Sequence, residues 1–138
     1  MGDWIIVQRD DLSDAALVAL ELGLSDVLAS MGGRLTFDEV IGDHLDGKSD
    51  IMVTCDDDGS LRSIVVMRVL NFPSGLRVLD IQLGTGHLDD FCTKLEALGE
   101  ARAIQSGCHK IQIEGRPGWI RALGDGWQEY QRKIEKEI

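Results

Sequence analysis

The run Leu76-Arg77-Val78-Leu79-Asp80-Ile81-Gln82-Leu83-Gly84-Thr85-Gly86-His87 changes character halfway along, and that change decides the fold. Leu76 to Ile81 alternates apolar and polar residues for part of its length, the period of a half-buried strand. Gly84-Thr85-Gly86 interrupts it. From about His87 to Ser106 the residues Leu88, Phe91, Cys92, Leu95, Leu98, Ala101 and Ile104 predict a long helix with one apolar stripe, stopped by Gly107. Lys110-Ile111-Gln112-Ile113-Glu114 then returns to strand period and ends at Gly115-Arg116-Pro117-Gly118-Trp119.

Upstream, Ile51 to Cys55 and Leu61 to Val69 read as strands joined by the turn Asp56-Asp57-Asp58-Gly59. Asn71-Phe72-Pro73-Ser74-Gly75 turns the chain again into Leu76, so three successive strands form an antiparallel meander. Trp4 to Val7 is a short first strand, ended by Arg9-Asp10-Asp11. A helix follows, capped by Ser13 or Asp11, with Leu17, Leu20, Leu24, Val27 and Leu28 at helical spacing and Gly32-Gly33 as its stop. Thr36 and Glu39 form a capping box for a shorter helix bearing Val40, Ile41 and Leu45. Beyond a short helix at Trp119 to Leu123, the segment Trp127 to Ile138 fits both periods: Trp127, Tyr130, Ile134 and Ile138 have helical spacing, and the last three also share one strand face.

The chain has 138 residues, enough for one domain spanning 1–138, and its 43% hydrophobic and 28% charged content excludes general disorder. Its net charge of −10 opposes phosphate backbones and anionic lipid, so neither nucleic acid nor membrane is an expected partner. The sequence shows no membrane-length apolar run and no secretion signal at Met1-Gly2-Asp3-Trp4, which predicts a soluble intracellular protein. Residues 1–60 carry 3 basic and 14 acidic side chains, whereas residues 61–138 carry 11 and 10, so an anion site is expected in the second part. Cys55, Cys92 and Cys108 read as reduced core thiols, an odd and irregular set that no disulfide framework uses.

Motif chemistry is mostly negative. Asp56, Asp58 and Gly59 suggest a calcium loop, but Thr54 and Val65 stand at its first and last ligand positions. His87, Cys92, Cys108 and His109 lack zinc-ligand spacing, and no metal is expected. No nucleophile elbow occurs. Pro117 makes Gly115 to Trp119 a rigid corner, where the planar fork of Arg116 can take a carboxylate or phosphate and Trp119 can anchor a protein partner. The alternative is that Arg116 pairs internally and Trp119 fills the core.

The order strand, two helices, three antiparallel strands, glycine turn, long helix, strand, short helix and final strand resembles the GNAT N-acetyltransferase fold over nearly the whole chain. The strongest local piece is Cys108-His109-Lys110-Ile111-Gln112-Ile113-Glu114 followed by Trp119-Ile120-Arg121-Ala122-Leu123 and Gly126-Trp127. Gly107-Cys108 and Gly115-Arg116-Pro117-Gly118-Trp119 further resemble a degenerate phage and prophage subgroup. The resemblance implies an α/β (α+β) domain with a mixed, mostly antiparallel central sheet of about six strands flanked by about four helices, and it makes the last segment a strand.

In that family acetyl-CoA pyrophosphate rests on backbone donors of a glycine loop, which the resemblance places at Gln82, Gly84, Thr85, Gly86 and His87. Glycines admit close backbone approach, and a helix N-terminus offers unpaired donors. The loop here is one residue short after Gln82, and Asp89 and Asp90 follow in the first helical turn, where they compete with a phosphate. Where many members carry a proton-donating tyrosine, this chain has Ala122, leaving Tyr130 or water as substitutes. Asp80 and Glu114 are the general-base candidates for an amine.

Two functions follow as expectations. The first is a phage-type protein with an eroded acetyl-CoA site and no cofactor, working as a structural or protein-binding component of the host cytoplasm or the virion. Its partners are phage structural proteins or a second copy paired through an exposed sheet edge. The alternative is an acetyl-CoA-dependent N-acetyltransferase acting on a cationic amine.

Overall fold

Ser13 and Thr36 start their helices by the same device. In the computed structural model, which describes residues 3–87, 96–114, 125–131 and 134–138, the Ser13 hydroxyl accepts the Ala16 N–H at 3.2 Å, and α1 runs Asp14–Ala29. Thr36 Oγ1 accepts the Glu39 N–H at 3.2 Å and donates to Glu39 Oε1 at 3.0 Å, opening α2, Phe37–Leu45. Each cap satisfies a donor that a first helical turn leaves unpaired.

The strands are β1 (Ile5–Ile6), β2 (Ser49–Cys55), β3 (Leu61–Asn71), β4 (Arg77–Thr85) and β5 (Lys110–Ile113), with α3 (Glu96–Gln105) between the last two. They form one sheet in the order β1-β2-β3-β4-β5. Every pairing is antiparallel except the parallel β4·β5 pair. The result is a mixed, mostly antiparallel α+β sheet, as expected, with the predicted meander at its centre.

Among the described residues the sheet has five strands and there are three α-helices, against about six and about four expected. The difference lies at the C-terminal end. Residues 127–131 and 134–138 are neither strand nor helix, which corrects the reading of the last segment as a strand. Its shared face finds nothing to bury against: Tyr130, Ile134 and Ile138 are all exposed. Side-chain bonds hold the segment instead, from Trp127 Nε1 to Glu96 Oε1 at 2.9 Å and from Tyr130 Oη to Gln112 Oε1 at 3.0 Å. The expected short helix, Trp119 to Leu123, lies outside the described residues.

Both sheet faces are covered, which explains the unbroken apolar run Ile64-Val65-Val66-Met67 in β3. Ile64 and Val66 join Ile51, Val53 and Leu83 beneath Leu20 and Leu24 of α1 and Val40 of α2. Val65 and Met67 face the other way, with Met52, Leu79 and Ile81, toward Ala103 of α3. The face of α3 differs from the expected stripe: Gly99 and Ala103 are buried, whereas Ala101 is exposed and Ile104 is 79% exposed. The helix packs on the sheet through small residues, and a Cβ added at Gly99 would stand 3.6 Å from Ile111 Cδ1, an ordinary contact. Cys55 and Cys108 are free and half-buried; Cys92 lies outside the described residues. Among the described residues no helix is long and apolar enough to cross a membrane.

Candidate functional site

The parallel pair β4·β5 is short. It runs from Val78 opposite Lys110 to Ile81 opposite Ile113 and stops there, although β4 continues to Thr85 alongside β3. At the point of parting, β4 carries an extra residue. Val66 pairs with Leu83 and the next β3 residue, Met67, pairs with Ile81, so Gln82 is bulged out of the ladder. A bulge leaves its extra residue without ladder partners and bends the strand. The parallel pairing therefore ends just before Gln82, and Leu83–Thr85 of β4 run on past the end of β5.

Beyond the bulge the glycine run is more strand than loop. Gly84 and Thr85 pair with Val65 and Ile64, so β4 extends four residues past the predicted end at Ile81. Gly86 has φ +122 and lies hard against β3: a Cβ there would stand 2.6 Å from the Arg62 carbonyl oxygen and 2.6 Å from Ser63 Cα. Only glycine fits this approach. The next amide, His87 N–H, donates to Ser63 Oγ at 3.1 Å. One of the backbone donors expected to face an anion is thus already held by β3.

Asp80 sits two residues before the bulge and is buried. Its Oδ2 accepts from Arg68 Nε at 2.8 Å, and its Oδ1 accepts from Gln112 Nε2 at 2.9 Å. The chain continues outward, since Gln112 Oε1 accepts the Tyr130 hydroxyl. Both Asp80 oxygens accept a hydrogen bond, so this carboxylate holds Gln112 and Arg68 in place. Glu114, directly after β5 on the face that carries Gln112, is exposed. The structure brings Asp80, Gln112 and Tyr130 together at the parallel pair and leaves Glu114 exposed.

Arg116 and Trp119, the partner-binding candidates, lie outside the described residues, as do Asp89, Asp90 and Ala122. Ser63, Arg68 and Gln112 were absent from the sequence-based site. A signal existed for Arg68: counting back from the turn at Asn71 to Gly75 places Arg68 opposite Asp80 in an antiparallel hairpin, where opposite charges attract. Ser63 has no such signal, because its contact with His87 spans two strands.

No protein-family model and no curated protein matches the sequence. Solved structures do match in shape. An acetyltransferase of Trypanosoma brucei superposes with a TM-score of 0.66 at 12% identity, covering 99% of both chains. A predicted acetyltransferase of Clostridium acetobutylicum, solved with acetyl-CoA, gives 0.67 at 14% identity, covering 99% of this chain and 96% of that one. An aminoglycoside acetyltransferase from an uncultured soil metagenomic sample gives 0.69 at 10% identity, covering 99% and 95%. At such identities the likeness shows architecture alone, and it spans both chains almost end to end: this chain has the GNAT acetyltransferase fold.

Proposed function

We propose that the chain is an acetyl-CoA-dependent N-acetyltransferase of a cationic amine, with the cofactor held where β4 parts from β5. The observation that carries this reading is the bulge at Gln82 at the point where the parallel pairing ends, which carries the glycine run of β4 past the last β5 pairing. The residues present suit such a ligand: Gly84 and Gly86 carry no side chain to obstruct a diphosphate, and Gln82 stands outside the one-to-one register of the ladder. Acetyl-CoA, when bound, supplies a thioester whose acyl group an amine can accept. On the protein's side, Gln112 is fixed by Asp80 and in turn receives the Tyr130 hydroxyl. Tyr130 Oη is the group that can give a proton to the departing sulfur, standing in for the tyrosine replaced by Ala122. Glu114, exposed at the end of β5, can take the amine's proton through water. The net charge of −10 favours approach of a cation.

One observation favours a second reading. The His87 N–H is already bonded to Ser63 Oγ, which removes a donor from any anion site there. Together with Ala122 this favours a GNAT-fold protein that binds protein through its shape and needs no cofactor; the phage role, in host cytoplasm or virion, is added to that reading by the sequence resemblance alone. Isothermal titration with acetyl-CoA separates the two. Saturable binding in the micromolar range, weakened by Gly84→Asp, supports the enzyme; absence of heat at millimolar ligand overturns it. A Tyr130→Phe variant that binds acetyl-CoA normally but loses transfer to amines would support the proton-donor role.

A further inference from the structure

Helix α1 is apolar on two sides. Leu20 and Leu24 are buried against the sheet, with Val27 and Leu28 half-buried in the same cluster. The opposite side of a surface helix ordinarily carries polar residues. Here it carries Ala15, Val18, Leu22, Ser25 and Ala29, all exposed, with Val18 at 57% and Leu22 at 71%. The single polar side chain of that row is turned back on its own helix: the Ser25 hydroxyl donates to the Leu22 carbonyl oxygen at 3.0 Å, so it can be covered without losing a hydrogen bond.

The row alternates spacings of three and four, which is the a/d repeat of a helix-to-helix seam, and from Ala15 to Ala29 it runs about 21 Å. Asp14 and Glu21 then fall at g positions and Asp26 at an e position, so carboxylates flank the row on both sides. All three are exposed, and none has an ion-pair partner among the described residues. Positions 10–33 hold five carboxylates and no Lys, Arg or His. These charges choose the occupant. A second copy of α1 would set Glu21 against Asp26 in a parallel pair, and g-position acids against one another in an antiparallel pair, which repels in either case. A helix with Lys or Arg at its e and g positions meets each carboxylate with a cation. The small side chains of Ala15, Ser25 and Ala29 admit bulky aliphatic groups from such a helix, and Leu22 supplies the anchor.

We infer that the outer face of α1 docks a basic amphipathic helix of another protein, with aliphatic residues at a and d and Lys or Arg at e and g. The surface uses neither the glycine run nor Asp80, so it stands whether or not acetyl-CoA binds. Amide chemical-shift titration of the full chain tests it with two synthetic peptides of three heptads, one with Leu at a and d and Lys at e and g, the other with Glu in place of that Lys. The expected result is saturable binding of the lysine peptide at about 10–100 µM, with shifts concentrated in Asp14 to Ala29, and binding of the glutamate peptide at least about tenfold weaker. Leu22→Glu, at an exposed position, should weaken the lysine peptide at least about tenfold while far-UV circular dichroism stays that of the parent. Glu21→Lys with Asp26→Lys should move the preference toward the glutamate peptide, a gain that loss of folding does not produce. Lysine-peptide binding weaker than about 1 mM, shifts centred outside α1, equal affinity for the two peptides, or no response to these variants overturns the site. Dimerisation of the parent chain that Leu22→Glu abolishes overturns the basic occupant in favour of a second copy.

Discussion

Arg68 and Asp80 face each other across β3 and β4, and the pair shows how one side chain can hold a site in place. Asp80 is buried, while the Arg68 side chain is 37% exposed, so solvent screens part of the attraction. Arg68→Leu should cost about 1–2 kcal/mol in a urea titration, because it leaves a buried carboxylate with Gln112 as its remaining partner among the described residues. Arg68→Leu combined with Asp80→Leu should recover most of that loss, since neither member is then left uncompensated. Asp58 offers a pH readout. Its carboxylate accepts from the Ser60 hydroxyl at 2.6 Å and the Ser60 N–H at 2.9 Å, which holds its pKa below the ordinary 3.8. A lowered folded value means the β2–β3 turn gains stability above the carboxylate range and loses it as pH falls through the Asp58 midpoint. A carboxyl NMR titration should show that midpoint rising toward the ordinary value in Ser60→Ala. The turn at Asp56 to Gly59 was legible in the sequence, as was Asp80 as a residue of interest. The engagement of both Asp80 oxygens was not, because Arg68, Asp80 and Gln112 come from three strands that only the register aligns.

Helix α1 carries Gly23 at a position where propensity alone prefers alanine by about 1 kcal/mol. The reason is contact with the sheet: a Cβ on Gly23 would stand 2.5 Å from Ile64 Cδ1, and Ile64 is buried in the core. Gly23→Ala should therefore lower stability by about 1–2 kcal/mol in spite of its helix preference, and Gly23→Ala with Ile64→Val should be more stable than Gly23→Ala alone. Denaturant midpoints of the two variants decide it. At the start of α2, Thr36→Ala should cost about 1 kcal/mol by removing the acceptor of the Glu39 N–H. That cap could be read from four residues, since capping is local. The face of α3 could not. Leu98, Ala101 and Ile104 lie at helical spacing, yet only Leu98 packs on the sheet, beside the buried Gly99 and Ala103, and Ile104 turns outward.

Across the whole molecule, the described C-terminal segment is set apart by having neither helix nor strand. Its links include Trp127 to Glu96, Tyr130 to Gln112, and the ion pair of Arg34 with Glu135, whose side chains are 59% and 71% exposed. Removing residues 134–138 should leave the thermal unfolding free energy within about 0.5 kcal/mol of the parent, because an exposed ion pair contributes little. The segment's charge alternates with apolar residues that find no layer to cover, so its period favours two structures and its packing favours neither.

The sequence by itself determined the order of elements from β1 to β5, the antiparallel meander, the helix caps and the glycine run, since each rests on a period or a contact within a few residues. Only the tertiary structure decided that Gln82 bulges, that β4 leaves β5 after Ile81, and that Ser63 holds the His87 amide. Those features arise from strand register and from unequal strand lengths, which are set by the packing of residues far apart in the chain and leave no local pattern to read.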